Sequence, residues 1–217
     1  MAGDVLSFAL LSLSSIIIIV NPLGATLIYV SLTSSMDQNT RNSIAKDSCR
    51  FALLILLIVA LIGTWVLQVF GISLEAFRIA GGILLFGIGM EMVYAKTSRT
   101  KLTATEKYES RDTEDISVMP LAVPMIAGPG AITTTIVLMN EASVITPVAI
   151  VIVLFSILIS IVITYYMMRN SDYIMSRIGQ RGYRAINRLM GMLLIAIAVQ
   201  FVINGIRLAF PLFTGGS

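Results

Sequence analysis

The chain contains no histidine and a single cysteine, Cys49. Without imidazole there is no histidine-based triad, no His-ligated zinc and no imidazole proton relay. One cysteine cannot close an intramolecular disulfide. Charge is scarce too: Asp, Glu, Lys and Arg make up 12% of the 217 residues, against roughly 25% in a soluble domain. Hydrophobic residues account for 57%, and the mean hydropathy is +0.91. Such a chain cannot cover a water-facing surface, so its apolar side chains face lipid. A net charge of +3 is a weak sign of nucleic-acid binding, and the placement of the basic residues explains it better as a membrane topology signal.

A basic leader is also missing. Only Asp4 precedes the first apolar run, which continues through Asn21-Pro22-Leu23-Gly24 into Leu27 and Val30. That is longer than a cleavable signal core and predicts a retained membrane segment.

What is present is a set of long apolar runs. A membrane helix needs about 20 mostly apolar residues at 1.5 Å rise each. Six stretches qualify: 5–34, 50–70, 75–95, 117–140, 144–168 and 187–210. The expected fold is therefore an all-α integral membrane protein, one membrane domain over 1–217. A polar segment at 96–116 divides it into a first repeat, 1–95, and a second, 117–217. Alternating the loops puts 13 of the 15 Lys and Arg on one side, leaving Arg78 and Arg207 on the other. The positive-inside rule makes the 13-charge side cytoplasmic, with segment 96–116 a cytoplasmic loop and both termini outside a cytoplasmic (inner) membrane. Trp65, Tyr94, Tyr165 and Tyr166 fall near the expected helix ends, where amphipathic rings meet headgroups.

The informative motifs lie inside the spans. Span one holds Val20-Asn21-Pro22-Leu23-Gly24-Ala25-Thr26, and span four holds Ala127-Gly128-Pro129-Gly130-Ala131-Ile132-Thr133. Aligning Pro22 with Pro129 also aligns Thr26 with Thr133, an offset of 107 residues. Arg78-Ile-Ala-Gly81 in span three echoes Arg188-Leu-Met-Gly191 in span six at an offset of 110. Two three-span halves enter the membrane upside down relative to each other, so the expectation is an inverted repeat with spans one and four broken. Breaks at corresponding positions of such halves point to a transporter binding site.

The physical reason is hydrogen bonding. Proline removes an N–H and clashes with the preceding turn, while glycine lets the chain leave helical dihedrals. Polar groups freed in hydrocarbon must line a cavity or meet a ligand. New half-helices are expected to begin around Ala25 and Ala131, with N-terminal amides suited to a carboxylate. Asn21, Thr26, Thr133 and Thr134 add neutral donors and acceptors. The candidate binding residues are thus Asn21, Pro22, Gly24, Ala25, Thr26, Gly128, Pro129, Gly130, Ala131, Thr133 and Thr134. Proline alone often only kinks a membrane helix; two breaks in register argue for more. About 16 apolar residues precede the first break and about 10 the second. One break is therefore open to being a re-entrant hairpin tip.

The Asn-Pro-Leu-Gly motif at 21–24, with Pro120-Leu-Ala-Val-Pro124-Met-Ile-Ala-Gly-Pro-Gly130-Ala-Ile-Thr-Thr, resembles the MarC family over essentially the whole chain. That family includes the small neutral amino acid transporters of the SnatA type. The resemblance implies six spans, a prokaryotic cytoplasmic membrane and transport of glycine or alanine.

Other polar residues lie in or near the spans. Glu91 is a candidate for proton coupling, although its shallow position near Lys96 favours an interfacial carboxylate. Gln200 and Asn204 in span six either line the solute path or bond neighbouring helices. Ser156, Ser160 and Thr164, and Gly81, Gly82, Gly87 and Gly89, read as small residues that let helices approach closely. No span carries a clear charge at its centre, which suits a small zwitterionic amino acid met by helix ends. Coupling by H+ or Na+ stays open, as do a homo-oligomer and the direction of transport. No cofactor and no certain metal site is expected. The expected function is an ion-coupled secondary transporter of glycine or alanine working by alternating access. The competing reading is a channel or exporter for another small polar solute. With no Ser/His pair, intramembrane aspartate pair or metal cluster in view, an enzyme is not expected.

Overall fold

The computed structural model describes residues 2–94 and 116–210, and every regular element among them is helical. In chain order these are α1 (Ala2–Val20), α2 (Pro22–Thr33), α3 (Gln38–Val69), α4 (Leu74–Tyr94), a wide π-helical segment (Ser117–Ile126), α5 (Pro129–Ile145), α6 (Pro147–Arg169) and α7 (Ser171–Ala209). The expected cytoplasmic loop, with Lys96, Arg99, Lys101, Lys107 and Arg111, lies outside the described residues.

Five helical stretches are long and apolar enough to cross a membrane: Val5–Thr33, Gln38–Val69, Leu74–Tyr94, Pro147–Arg169 and Arg181–Ala209. The segment Ser117–Ile126 and α5, bent by 53° at the junction, make a sixth when taken together. The expected boundaries hold to within a residue for spans one and three, while span five starts three residues later than expected, at Pro147. Span two starts earlier, at Gln38, because α3 continues through a polar beginning that holds Arg41, Lys46 and Arg50. That start is capped by Asp37, whose carboxylate accepts from the backbone amides of Asn39 (3.0 Å) and Thr40 (3.1 Å) and from the Thr40 hydroxyl (2.6 Å). Span six belongs to the longer α7, which Gly179 interrupts with a positive φ of 64°.

Large apolar side chains remain exposed around the bundle, among them Leu61, Trp65, Ile83, Val151 and Phe155. In a lipid environment these are the expected outer surface. The interior has two parts. The larger core joins α1, α2, α3, the segment Ser117–Ile126, α5 and α6, with Tyr29, Leu56, Leu121, Leu138 and Ile157 fully buried. A smaller one, Leu85, Met92, Leu194 and Ala198, joins α4 to α7.

The α4–α7 contact is the most extensive helix pair, and glycine makes it so. A methyl group at Gly82 would come 2.7 Å from the Ala198 carbonyl oxygen, and one at Gly191 would come 2.9 Å from that of Gly89. Only residues without a Cβ allow the two backbones this close. Gly87 does not belong to this set. It faces outward with nothing within 4 Å of where a Cβ would stand, because it is off the buried stripe of its helix. On α6, Ser156, Ser160 and Thr164 are buried, and each hydroxyl donates to the carbonyl four residues earlier at 2.8 Å. They are small and satisfied within their own helix, as packing residues should be.

Candidate solute site at the two helix breaks

At the first break a single residue leaves helical geometry. Asn21 adopts the left-handed conformation (φ 49°, ψ 66°) between α1 and α2. Asparagine visits this region more readily than other side-chain-bearing residues. Its Oδ1 accepts from the Gly24 amide at 3.1 Å, so the residue caps the helix it starts. Gly24 is required by that cap, since a Cβ there would overlap the Asn21 side chain. Pro22 occupies the first helical position, where a missing N–H costs nothing.

The second break is built differently. Met119 and Val123, each preceding a proline, are extended inside the segment Ser117–Ile126, as the ring of a following proline dictates. Irregular backbone of this kind survives in a membrane only under protein cover. The segment packs on α3, with Leu121, Ala122 and Ile126 fully buried. Ala127 and Gly128 then turn the chain into α5, again with proline first. Gly128 admits no side chain because the Pro124 carbonyl occupies the space of its Cβ. It therefore supplies no side-chain cap, and the start of α5 lacks the protection that Asn21 gives α2.

Both new helices thus begin at the prolines themselves, not around Ala25 and Ala131 as expected from sequence. Proline's fixed φ suits the first turn, and the preceding residue carries the irregularity. The two helix starts share a further detail. Thr26 donates to the Pro22 carbonyl at 2.7 Å, and Thr133 to the Pro129 carbonyl at 2.9 Å.

One face of α4 touches both breaks. Its buried stripe runs Arg78, Gly81, Gly82, Leu85, Gly89, Met92, the spacing of one helical face. A methyl at Gly81 would overlap Thr133, and one at Gly130 would overlap Leu85 and approach Ile19. Further along, the Asn21 amide donates to the Met92 sulfur at 3.8 Å. Met92 also accepts through its carbonyl from Asn187 of α7 at 3.4 Å. Pro22, Gly24, Ala25, Thr26, Gly128, Gly130, Ala131, Thr133 and Thr134 are buried, Asn21 is half-buried and Pro129 is exposed.

Some buried hydroxyls of α1 and α5 are unpartnered. Most buried hydroxyls described above donate to a carbonyl of their own helix. The hydroxyls of Thr134 and Thr135 on α5, and of Ser12 on α1, are buried and have no hydrogen-bond partner among the described residues. Each such group in an apolar interior costs of order 1–3 kcal/mol.

Three expected residues lie elsewhere. Gln200 is exposed and donates to Asn204 at 2.8 Å within α7. Gln200 lies off the stripe that packs on α4, while Asn204 is half-buried beside Gly205, which meets Ile79 of α4. Glu91 is exposed one residue before buried Met92, off the stripe that meets the breaks. Sequence reasoning passed over Leu85, Met92, Thr135 and Ser12, which carry no signal of their own in an apolar run. Arg78 entered that reading as a topology marker and as part of the Arg-x-x-Gly echo, not as a candidate site residue. Arg78 is 4% exposed and lies 2.9 Å from Glu141 of α5. Nothing in the sequence pointed to this pair, because Glu141 follows the expected end of span four at 140.

A family model described as "MarC family integral membrane protein" matches residues 6–210. The chain is 44% identical over 202 residues to the UPF0056 membrane protein MJ1677 of Methanocaldococcus jannaschii, covering 93% of this chain and 97% of that protein. It is 36% identical over 196 residues to the UPF0056 membrane protein YhcE of Escherichia coli, covering 89% of each. With the UPF0056 membrane protein YvbG of Bacillus subtilis the figures are 34% over 201 residues, 92% of this chain and 94% of the relative. No solved structure matches the chain.

Proposed function

Because the chain belongs to the MarC family of integral membrane proteins, we propose that it is a secondary transporter of small neutral amino acids, glycine or alanine, working by alternating access. The observation that carries this reading is the matched pair of helix starts. Pro22 and Pro129 each open a helix in mid-span, and Thr26 and Thr133 make the same back-bond to them. Helix starts of this kind favour a carboxylate, and the uncapped start of α5 is the better of the two.

Packing supports reading the chain as two inverted halves of one design. The first span of each half lies against the second span of the other, α1 on α6 and α5 on α3, while the third spans, α4 and α7, pair together. Rocking one half against the other would expose the breaks to alternate sides. In this reading the side rich in Lys and Arg is cytoplasmic, and both termini lie outside a cytoplasmic membrane. Coupling would use Na+ held by carbonyls and hydroxyls at the breaks, or H+ carried with the solute.

The test is flux in proteoliposomes. Saturable uptake of labelled glycine or alanine, accelerated by the same amino acid inside, is the expected result. Large unitary currents without counterflow would make the protein a channel. Gly130→Leu, which drives a bulky side chain into Leu85, is expected to abolish uptake.

A further inference from the structure

Arg78 and Glu141 form an ion pair that helix stability does not explain. Arg78 is five residues into α4, near the positive end of its helix, and Glu141 is near the negative end of α5. Each charge is therefore placed against its own helix dipole. Burial adds to the cost on the arginine side: the Arg78 side chain is 5% exposed, while that of Glu141 is 33% exposed. The Arg78 Nε–H is also buried with no hydrogen-bond partner among the described residues. An ionisable pair kept in such a setting is a functional feature by default.

Its position connects it to the breaks. Arg78 lies one turn from Gly81 on the same face of α4, and Gly81 meets Thr133 in the second turn of α5. Glu141 is two turns further along α5. The pair thus joins a helix of the first half to a helix of the second, beyond Thr133 and away from the Met92–Asn21 contact.

We propose that the Arg78–Glu141 pair is a docking site for a zwitterionic amino acid, at which the solute exchanges partners with the protein. The solute carboxylate takes the guanidinium, using the free Nε–H with a terminal N–H as a two-pronged donor. The solute ammonium takes the Glu141 carboxylate. One salt bridge becomes two and the summed charge of the site stays zero, so the buried guanidinium is never left without a counter-charge. A solute with a single charge would free one partner without replacing it, which makes the site selective for zwitterions. The exchange also parts α4 from α5 where the two halves are tied. This rests on the transporter reading and adds to the helix starts a separate solute position, twelve residues along α5 from Pro129.

Calorimetric titration of the purified protein in detergent tests it. Glycine and alanine are titrated, with acetate and methylammonium as single-charge controls. The unaltered protein is expected to bind glycine at least tenfold more tightly than either control. The doubly neutral variant Arg78→Gln/Glu141→Gln is expected to bind glycine at least tenfold more weakly, with Thr133 and the breaks untouched. Binding of glycine within twofold of the unaltered protein in that variant overturns the docking role and leaves the transporter reading standing. Failure of the unaltered protein to bind any small amino acid overturns both. Should the neutral pair not fold, the controls decide alone: acetate or methylammonium binding as tightly as glycine overturns the proposal.

Discussion

Thr133 of α5 lies against the backbone of α4 at Gly81, in the space a Cβ would need. The contact brings the helix that follows the second break onto the stripe that also meets Asn21 through Met92. Gly81→Ala is therefore expected to destabilise the protein by about 1–3 kcal/mol, the usual range for overpacking. Thr133→Ser removes the nearest atom, Cγ2. The double variant should recover part of that loss. Melting of the two single variants and the double in one detergent measures the coupling; strict additivity would show that the helices separate freely there.

Asn21 holds a left-handed conformation and a helix cap at once. Asn21→Ala loses both, at roughly 1–2 kcal/mol for the backbone and about 1 kcal/mol for the cap. Asn21→Gly keeps the backbone at ease and loses mainly the side chain, including its contact with Met92. Thermal denaturation should rank the unaltered protein, then glycine, then alanine. An alanine variant as stable as the glycine variant would mean that the left-handed turn is not required.

Two glycines at the α4–α7 region should behave oppositely. Gly191→Ala pushes a methyl to 2.9 Å from the Gly89 carbonyl oxygen and should cost about 1–3 kcal/mol. Gly87→Ala meets nothing within 4 Å and should stabilise α4 by about 0.5–1 kcal/mol through reduced backbone freedom. Paired melts of the two variants check the contrast.

Asp37 caps α3, and its carboxyl is held below the ordinary carboxylate range, first by the Thr40 hydroxyl and then by backbone amides. A depressed folded-state pKa contributes stability that is fully present above the unfolded value and disappears as pH falls through the folded one. The cap should thus persist from neutral pH to below about 4. Asp37→Ala should lower the melting temperature at pH 7, and the gap to the unaltered protein should close only in more acidic solution. A gap that closes between pH 7 and 5 would contradict the assigned cause.

Much of the fold could be read directly. Span three was placed within a residue because Leu74–Tyr94 is bounded by turn residues and is apolar along its length. Span four was less legible: Pro120 and Pro124 lie in an apolar run, and hydropathy does not reveal that Met119 and Val123 are extended. The motif residues around Pro22 and Pro129 stood out because proline and glycine act through the local backbone. The facing of Gln200, Asn204 and Glu91 was not legible, because polarity in a span says nothing about which way a side chain points.

The sequence by itself determined that this protein lives in lipid, how many apolar segments it offers and where its chain must leave helical geometry. These follow from transfer of side chains out of water and from the missing N–H of proline, both local properties. Tertiary structure alone decided that α4 touches both breaks and that Arg78 meets Glu141. Those relations depend on which helix faces approach, and glycines such as Gly81 and Gly82 set the approach by leaving room for a neighbouring helix.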